Sequence, residues 1–373
     1  MSEFSPTMTR FRIEIPDAQL DDLHDRLART RWPDAETVDD WSQGIPRAYV
    51  QELCDHWRTG YDWRATEARL NAIPQFKTEI DGLNIHFLHL RSERANALPL
   101  ILTHGWPGSV LEFMKVIEPL SQDFDVVVPS LPGYGFSDRP ARPGWGTPAI
   151  AAAWAELMAR LGYERYGAHG GDWGSPITMH LGARDPEHVA GIHLTMPVVP
   201  PAVFGELGEL TEAELALLAR FAEYRKSGSG YSKQQSTRPQ TLGYGLVDSP
   251  AGQCAWIVEK FREWTDCDGD PENILSKDEL LDNVMLYWLP GAGASSARLY
   301  WESFHDRNVP KPGVPTACSS FPKEIIRIPE RAAKLWFTDL RQWRDHDKGG
   351  HFAALEQPGP LVDDLRAFFG KLG

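Results

Sequence analysis

Short apolar runs alternate with longer helical stretches across residues 76–197. The runs read LPLILTHG, DVVVPS, YERYGAHG and VAGIHLTM, and a stretch such as TPAIAAAWAELMARLG lies between two of them. Apolar runs that alternate with amphipathic helices are typical of strands joined by crossover helices. The sequence therefore predicts an α/β fold built around a parallel sheet of βαβ units.

A hairpin is predicted at the start of this region. FKTEIDGLNIHFLHL alternates apolar and polar residues on both sides of Asp81-Gly82. An Asp-Gly pair between two alternating runs is a strong signal for a two-residue β-turn. Strand-like runs return late in the chain with VPTACSSFP and KLWFTDL, and the segment GPLVDDLRAFFGKL predicts a last helix.

Two segments lack the alternation and are predicted to be helical. Residues 1–75 contain IPDAQLDDLHDRLARTRWP, with Asp17 as the expected N-cap and Pro33 as the expected end. Residues 198–305 contain three helical stretches, and in one of them Asp248 or Ser249 is the expected cap. We expect an N-terminal helical arm (1–75), a core in two parts (76–197 and 306–373) and a helical insert (198–305).

Composition excludes several classes of protein. The chain has 373 residues, 42% of them hydrophobic, and a formal net charge of -14, which argues against nucleic acid or an anionic membrane as a partner. No apolar run approaches the length of a membrane span, and the N-terminus has no secretory pattern. The four cysteines show no C-x-x-C pair, so reduced thiols in a cytosolic protein are expected.

The segment GGDWGS carries the main functional signal. It resembles the G-x-S-x-G turn of hydrolases, with Asp172 in the position of the nucleophilic serine. A strand-like run precedes it and a helical segment follows, which is the context that this turn requires. The alternative is a glycine-rich turn in which Asp172 caps the following helix.

Three other segments supply candidate partners for Asp172. THGWPGS follows a strand, so the backbone N–H groups of Trp106 and Trp173 are the expected oxyanion donors. His351, in KGGHFAALEQP, is the best candidate base because it follows the nucleophile and the acid in chain order. Glu324 is the first acid after VPTACSSFP and is the expected partner of His351. The weaker alternatives are His104, His169 and His346 for the base, and Glu330, Asp345 and Asp347 for the acid.

An aspartate nucleophile predicts attack on a saturated carbon. A carboxylate forms an ester there, which water can hydrolyse, whereas a serine would form an ether. A halide would then leave without a proton, but an epoxide oxygen becomes a basic alkoxide and needs an acid such as tyrosine. The helical insert offers five candidates: Tyr224, Tyr231, Tyr244, Tyr287 and Tyr300.

Taken together, the motifs resemble the microsomal-type epoxide hydrolases. The resemblance rests on HGWPGS, GGDWGS, GYSKQQSTRPQTLGYGLVDSPAG, NVMLYW, RLYWES, FPKE and GGHFAALEQP, and on the arm segment FRIEIPDAQLDDLHDRLARTRWPD. It covers nearly the whole chain and implies an α/β-hydrolase core, a helical lid and an N-terminal arm that wraps both. Some members of that family carry an N-terminal membrane anchor that this sequence lacks, so a cytoplasmic enzyme without a membrane anchor is expected.

The resemblance also implies roles for individual residues. It puts the nucleophile at Asp172, the charge-relay acid at Glu324, the base at His351 and the two lid tyrosines at Tyr231 and Tyr300. The implied reaction opens a small-molecule epoxide to a vicinal diol without a cofactor. A role in detoxification or secondary metabolism is expected, and the oligomeric state stays open, with a homodimer as one option.

Two other functions fit parts of the sequence. A haloalkane or haloacid dehalogenase shares the aspartate nucleophile and would hold the halide with N–H donors, for which 14 tryptophans leave room. A non-catalytic binding protein of the same fold is the other alternative, although all three triad members are present. The acidic stretch DCDGDPENILSKDE does not fit a calcium loop, since Pro271 and Lys277 occupy its glycine and glutamate positions. No metal or dinucleotide site is expected.

Overall fold

The computed structural model describes residues 8–304 and 308–372. Nine strands form one sheet: Thr9–Arg10 (β1), Gln75–Ile80 (β2), Leu83–Leu90 (β3), Leu98–Thr103 (β4), Phe124–Pro129 (β5), Tyr166–Gly170 (β6), Val189–Leu194 (β7), Thr316–Ser320 (β8) and Leu340–Asp345 (β9). Their order in the sheet is β1-β2-β3-β5-β4-β6-β7-β8-β9. The pairs among β1, β2, β3 and β5 are antiparallel, and every pair from β5 to β9 is parallel. The predicted α/β class is confirmed, with antiparallel strands added at one end.

Helices pack against the sheet, and further helices form the segment between β7 and β8. Six helices precede β7: Asp17–Ala28 (α1), Arg47–Thr59 (α2), Trp63–Asn71 (α3), Met114–Ser121 (α4), Thr147–Arg160 (α5) and Gly174–Arg184 (α6). Seven follow it: Ala202–Glu206 (α7), Glu212–Glu223 (α8), Gly230–Thr237 (α9), Pro239–Asp248 (α10), Pro250–Trp264 (α11), Lys277–Trp288 (α12) and Gly293–Phe304 (α13). The last three are Glu330–Trp336 (α14), Ala353–Glu356 (α15) and Pro358–Phe369 (α16). Short 3₁₀ turns span Val110–Phe113 and Pro271–Asn273, and a π-helical turn spans Tyr224–Gly228.

The strands at the centre of the sheet are fully buried. Every residue of β6, β7 and β8 is buried, as expected for parallel strands covered by helices on both faces. The predicted two-residue hairpin is also present, since Ile80 pairs with Leu83 and both Asp81 (φ 47°) and Gly82 (φ 79°) have positive φ. Two positive φ values in succession are the signature of the type I′ turn that Asp-Gly favours.

Two local predictions were wrong. KLWFTDL is not a strand: its first residues end α14, and the strand is the next segment, Leu340–Asp345. β9 lies at the edge of the sheet and is half-exposed, so its residues are mostly polar and its pattern is weak. Asp17 is not the cap of α1, because Pro16 occupies the N-cap position and Asp17 is the first helical residue. The other cap prediction is resolved in favour of Ser249, whose hydroxyl accepts the N–H of Gly252 at 3.0 Å.

The N-terminal helices are joined to α12 by a buried carboxylate. Asp282 of α12 is only 3% exposed and accepts a hydrogen bond of 2.7 Å from the Tyr61 hydroxyl. The Thr66 hydroxyl and the Arg69 guanidinium donate to the same carboxylate. Because the donors surround both oxygens, a charge that would be costly to bury alone is compensated. We call these four residues the arm cluster.

No helix within the two described ranges is long and apolar enough to cross a membrane. The predicted boundary between the helical insert and the second part of the core falls at residues 305 and 306, which lie outside the described residues.

Candidate active site

Asp172 lies at a sharp turn between β6 and α6. Its φ of 46° is in the left-handed region, which a residue other than glycine adopts only when the surrounding structure enforces it. The glycines around it allow the turn, because a Cβ at Gly174 would overlap the Thr103 carbonyl and a Cβ at Gly105 would overlap the Asp172 carboxylate. The turn therefore lifts the Asp172 side chain away from the backbone at the carboxyl end of the sheet.

The alternative role of Asp172 as a helix cap is not observed. The N-cap position of α6 is Trp173, and no side-chain cap hydrogen bond is formed there. Oδ1 of Asp172 instead accepts the backbone N–H of Trp106, just after β4, at 2.7 Å. The N–H of Trp173 follows directly in sequence. A carboxylate oxygen thus already occupies a position beside the first of the two N–H groups predicted for the oxyanion.

His351 lies between Asp172 and Glu324. Its Nε2 is 3.4 Å from Oδ2 of Asp172, and its Nδ1 is 2.8 Å from Oε1 of Glu324. Glu324 follows β8 and is held by the backbone N–H of Ile325 at 2.6 Å, and His351 follows β9. Parallel strands deliver all of these residues to one edge of the sheet, because their carboxyl ends coincide there.

The charges around His351 favour its protonated form. Burial works against a charged imidazole, but the carboxylates of Glu324 and Asp172 outweigh it and raise the pKa of His351 well above its usual value. The resting site thus resembles an ion triad, with one cation between two anions. Any event that neutralises Asp172 removes part of the support for the cation.

The other candidate histidines have different partners. His104 contacts the Gly105 carbonyl oxygen with Nδ1 and accepts the Leu131 N–H with Nε2, and burial lowers its pKa to about 4. His169 contacts a second buried histidine at 3.0 Å, and His346 contacts Asp364 at 2.7 Å. Each of the three ring systems is therefore engaged away from the Asp172 carboxylate.

The alternative acids also point elsewhere. Glu330 pairs with Lys334 one helical turn away, at 2.7 Å. Asp345 accepts the indole N–H of Trp343 at 2.8 Å, and Asp347 is exposed. Glu324 is the acid that the structure brings to His351.

Two of the five candidate tyrosines pack around the Trp106 and Asp172 turns. The ring of Tyr231 stacks on Trp106 with centroids 5.1 Å apart, and Tyr300 packs edge-on against Trp173 at 4.8 Å. The two tyrosine rings lie 5.9 Å from each other. Burial, followed by neighbouring phenols and the charge of Asp172, raises the pKa of both well above the usual value. They therefore remain protonated at neutral pH and are able to donate.

The remaining three tyrosines differ in position. Tyr224 forms a hydroxyl–hydroxyl hydrogen bond of 2.8 Å with Tyr231 and so belongs to the site. Tyr287 donates to the Gly108 carbonyl at 2.7 Å, and Tyr244 is 72% exposed. The spacing of these residues along the chain gave no signal that would separate them.

Trp264 at the end of α11 is a site residue that the sequence analysis missed. Its carbonyl accepts the His351 backbone N–H at 2.9 Å, and the two rings are 5.0 Å apart. Its ring also packs against Tyr231 with a centroid distance of 5.1 Å. Trp264 therefore connects His351 to Tyr231. Only its position at the end of a periodic helix was readable from the sequence.

Among residues 8–304 and 308–372, no group of three or more His, Cys, Asp or Glu side chains is arranged to hold a metal ion. The acidic stretch that begins at Asp266 is bound to another part of the chain, since the Asp266 carboxylate accepts the Gly349 N–H at 3.0 Å. All four cysteines are buried and free: Cys54, Cys254, Cys267 and Cys318.

Two family models match the chain. Residues 8–113 match the model described as epoxide hydrolase N terminus, and residues 99–229 match the model of the alpha/beta hydrolase fold. The second match spans both the Trp106 turn and the Asp172 turn.

Full-length relatives and solved structures agree with these matches. A relative from Stigmatella aurantiaca, provisionally named epoxide hydrolase, is 51% identical over 98% of this chain and 85% of its own length. Epoxide hydrolase 1 of Sus scrofa is 37% identical over 97% of this chain and 88% of its own. The crystal structure of juvenile hormone epoxide hydrolase from the silkworm Bombyx mori has a TM-score of 0.92 and 32% identity, covering 98% of this chain and 95% of that one.

The Aspergillus niger epoxide hydrolase structure is similar to the same degree. Its TM-score is 0.90 at 35% identity, and the match covers 99% of this chain and 97% of that one. The resemblance inferred from the motifs is thereby confirmed, as is the α/β-hydrolase fold that it implied. The chain belongs to the epoxide hydrolase family and is a hydrolase that acts on epoxides.

Proposed function

We propose that this enzyme opens epoxides through a covalent ester on Asp172, which His351-activated water then hydrolyses. One observation carries the proposal: His351 contacts Asp172 at 3.4 Å on one side and Glu324 at 2.8 Å on the other, beside two buried tyrosines. Nucleophile, base and acid are thus within reach of each other at the carboxyl edge of the sheet.

The first half of the reaction is alkylation. An oxygen of Asp172 attacks one epoxide carbon, and the bond from that carbon to the epoxide oxygen breaks. The alkoxide that forms takes a proton from Tyr231 or Tyr300, whose hydroxyls remain protonated because burial raises their pKa. This need for an acid supports an epoxide over a halide, which leaves without a proton.

The second half is hydrolysis of the ester. Esterification removes the charge of Asp172, so one of the two carboxylates that raise the pKa of His351 is lost. His351 can then release its proton to the tyrosinate through water and become a base. It activates a water for attack on the ester carbonyl, and the N–H groups of Trp106 and Trp173 hold the oxyanion. Collapse releases the vicinal diol, and the site returns to its starting charges.

An oxygen-labelling experiment tests this route. Excess enzyme is mixed with styrene oxide in heavy-oxygen water for a single turnover, and the diol is analysed by mass spectrometry. We expect the first diol to be unlabelled, because one oxygen comes from the epoxide and the other from Asp172. Solvent label in that first diol would rule out the ester. Halide release from an alkyl halide with no diol from any epoxide would favour the dehalogenase alternative.

We propose the domain division that the sequence suggested, with an arm (1–75), a core (76–197 and 306–373) and a lid (198–305). The arm cluster supports it, since Tyr61, Thr66 and Arg69 all bind Asp282 of the lid. Tyr231 and Tyr300 also come from the lid, whereas Asp172, Glu324 and His351 come from the core. The lid then supplies the tyrosines that donate a proton and the walls of the pocket, while the core supplies the nucleophile, the base and its carboxylate partner.

Three further properties remain predictions. We propose a cytoplasmic location, a role in detoxification or secondary metabolism, and a homodimer as one option for the oligomeric state. Cell fractionation and size-exclusion chromatography with light scattering measure the first and the last. The physiological role is testable by comparing the growth of a deletion strain with and without added epoxides.

A further inference from the structure

A lysine is buried beside the tyrosine pair, and the reaction described above does not use it. Lys260 of α11 lies one turn before Trp264 and is only 5% exposed. Lysine is among the residues least often buried, because removing an ammonium from water is costly unless it is compensated. Its position therefore requires an explanation.

Two carboxylates and two rings surround the ammonium. Nζ of Lys260 is 2.7 Å from Glu259 and 3.1 Å from Glu263, both of which are partly exposed. The same Nζ lies 4.9 Å from the centre of the Tyr231 ring and 5.9 Å from the centre of the Trp264 ring. The charge is thus placed against the aromatic face of a tyrosine that the proposed reaction uses as an acid.

We propose that Lys260 is a positioning residue that stabilises the phenolate of Tyr231 while the epoxide ring opens. This inference rests on the proposed function, because it assumes that Tyr231 donates a proton. An ammonium near a phenol attracts the phenolate far more strongly than the neutral hydroxyl, so it promotes proton release.

The surroundings of Tyr231 oppose its ionisation, which gives such a cation a role. Burial first, and then the neighbouring Tyr224 and the charge of Asp172, raise the pKa of Tyr231 well above its usual value. Burial and the charge of Asp172 likewise raise the pKa of Tyr224, and the charge of Glu263 raises it further. The imidazolium of His351 is already paired with Asp172 and Glu324, whereas the ammonium of Lys260 lies against the Tyr231 ring itself. A purely structural pairing with Glu259 and Glu263 would not require burial, since both glutamates reach solvent.

The proton and charge balance is closed. As the bond from carbon to the epoxide oxygen breaks, the Tyr231 hydroxyl proton moves to that oxygen, and the negative charge moves to the phenolate beside Lys260. The proton on His351 later neutralises the phenolate through water. One proton of the hydrolytic water reaches the leaving diol oxygen through His351, and the other restores the protonated His351. Lys260 gives up no proton at any step.

Quench-flow kinetics of the full-length enzyme with radiolabelled styrene oxide test the proposal. Alkylation is followed as acid-stable label on the protein, and hydrolysis as its decay. We expect Lys260→Met to slow alkylation about tenfold or more while ester decay stays within about twofold, since only the first step builds charge on Tyr231. Lys260→Arg keeps the cation and should restore most of the alkylation rate. Lys226→Met, at an exposed lysine paired with Glu223, is the matched control and should behave as wild type.

A double-mutant cycle separates this inference from the reaction itself. In a Tyr231→Phe background, Lys260→Met should have little further effect, because its target is gone. An equal loss in both backgrounds, or a wild-type alkylation rate in Lys260→Met, would overturn the role of Lys260. A wild-type alkylation rate in Tyr231→Phe would instead overturn the proposed acid. If Lys260→Met is not folded by circular dichroism, Lys260→Gln replaces it in the same cycle with the same expectations.

Discussion

Two aspartates in this chain, Asp282 buried and Asp172 partly buried, have very different surroundings. Asp282 accepts hydrogen bonds from Tyr61, at 2.7 Å, and from Thr66 and Arg69. Asp172 accepts one backbone N–H at 2.7 Å and faces His351 at 3.4 Å, so one side of its carboxylate is held loosely. A carboxylate with donors on both oxygens is a structural anchor, whereas one with a single backbone donor keeps an oxygen available to attack a substrate.

The two aspartates also differ in the backbone strain of their surroundings. Asp172 is held at a φ of 46°, a conformation that costs free energy, while the arm cluster joins regular helices. The active-site turn is unfavourable locally and is stabilised by the packing around it. The arm cluster has no residue at a positive φ and holds the arm against α12. Substitutions should therefore divide cleanly into effects on catalysis and effects on stability.

Removal of the nucleophile should give the largest effect. For Asp172→Ala we expect kcat/KM for styrene oxide to fall by about 10⁴-fold or more, because the covalent route is lost. The measurement is diol formation by chromatography. Circular dichroism should show a native fold, and a variant retaining a tenth of the wild-type activity would contradict the role of Asp172.

The acid that supports the base should give the next largest effect. Glu324→Gln removes the carboxylate that most strongly raises the pKa of His351, so we expect ester hydrolysis to slow by about 10³-fold. Alkylation should be affected much less, and intact-protein mass spectrometry should then detect the alkyl-enzyme after mixing with styrene oxide. If the two steps slow equally and no adduct accumulates, Glu324 does not act through the base.

The arm cluster should respond in stability and not in chemistry. For Asp282→Asn we expect the free energy of unfolding to fall by about 2–3 kcal/mol, since buried donors lose a charged acceptor. Urea denaturation measures this, and kcat should change by less than about twofold. Asp278→Asn on the same helix is the control: its contact with His56 is 2.6 Å, but its side chain is 60% exposed, so a loss below about 1 kcal/mol is expected.

The last expected effect is a pH dependence of stability at His351. Because the pKa of folded His351 is raised, its charged form stabilises the folded state fully below the unfolded pKa of about 6.5 and progressively less as pH rises through the folded value. The stability difference between wild type and His351→Gln should therefore narrow from pH 6 to 9, by at most about 1.4 kcal/mol per pH unit. A difference that widens with pH would mean that burial, and not the two carboxylates, dominates at His351.

Features that are local in sequence could be predicted. The hairpin at Asp81-Gly82, a helix cap at Asp248 or Ser249 (found at Ser249) and the strand–turn–helix context of Asp172 all depend on adjacent residues. The chain order of Asp172, Glu324 and His351 added a long-range expectation only because parallel strands end at one edge. Their catalytic roles stay predictions until the variants above are measured.

Features that join distant segments could not be predicted. The partners of Asp282 lie more than 200 residues away in sequence, and no periodicity connects them. Tyr231 and Tyr300 were selected by resemblance alone, since helical spacing does not show which face meets the core. Lys260 could not be singled out from the sequence, because burial of a single lysine leaves no trace in a local pattern. KLWFTDL was wrongly predicted to be a strand, because an apolar run at the end of a helix resembles a short strand-like run.

The position of the helical insert has a consequence for how such an enzyme can diversify. The insert leaves the sheet after β7 and returns at β8, and those two strands are neighbours. The whole of α7–α13 can therefore be exchanged or lengthened without moving the ends of β6, β8 and β9. Substrate range is then inherited separately from Asp172, Glu324 and His351: a chimera that transplants residues 198–304 from a relative should acquire the donor's selectivity and its tyrosines while keeping these three residues of the core. In laboratory evolution, libraries confined to the insert and the matching arm surface should change selectivity at the least risk to turnover.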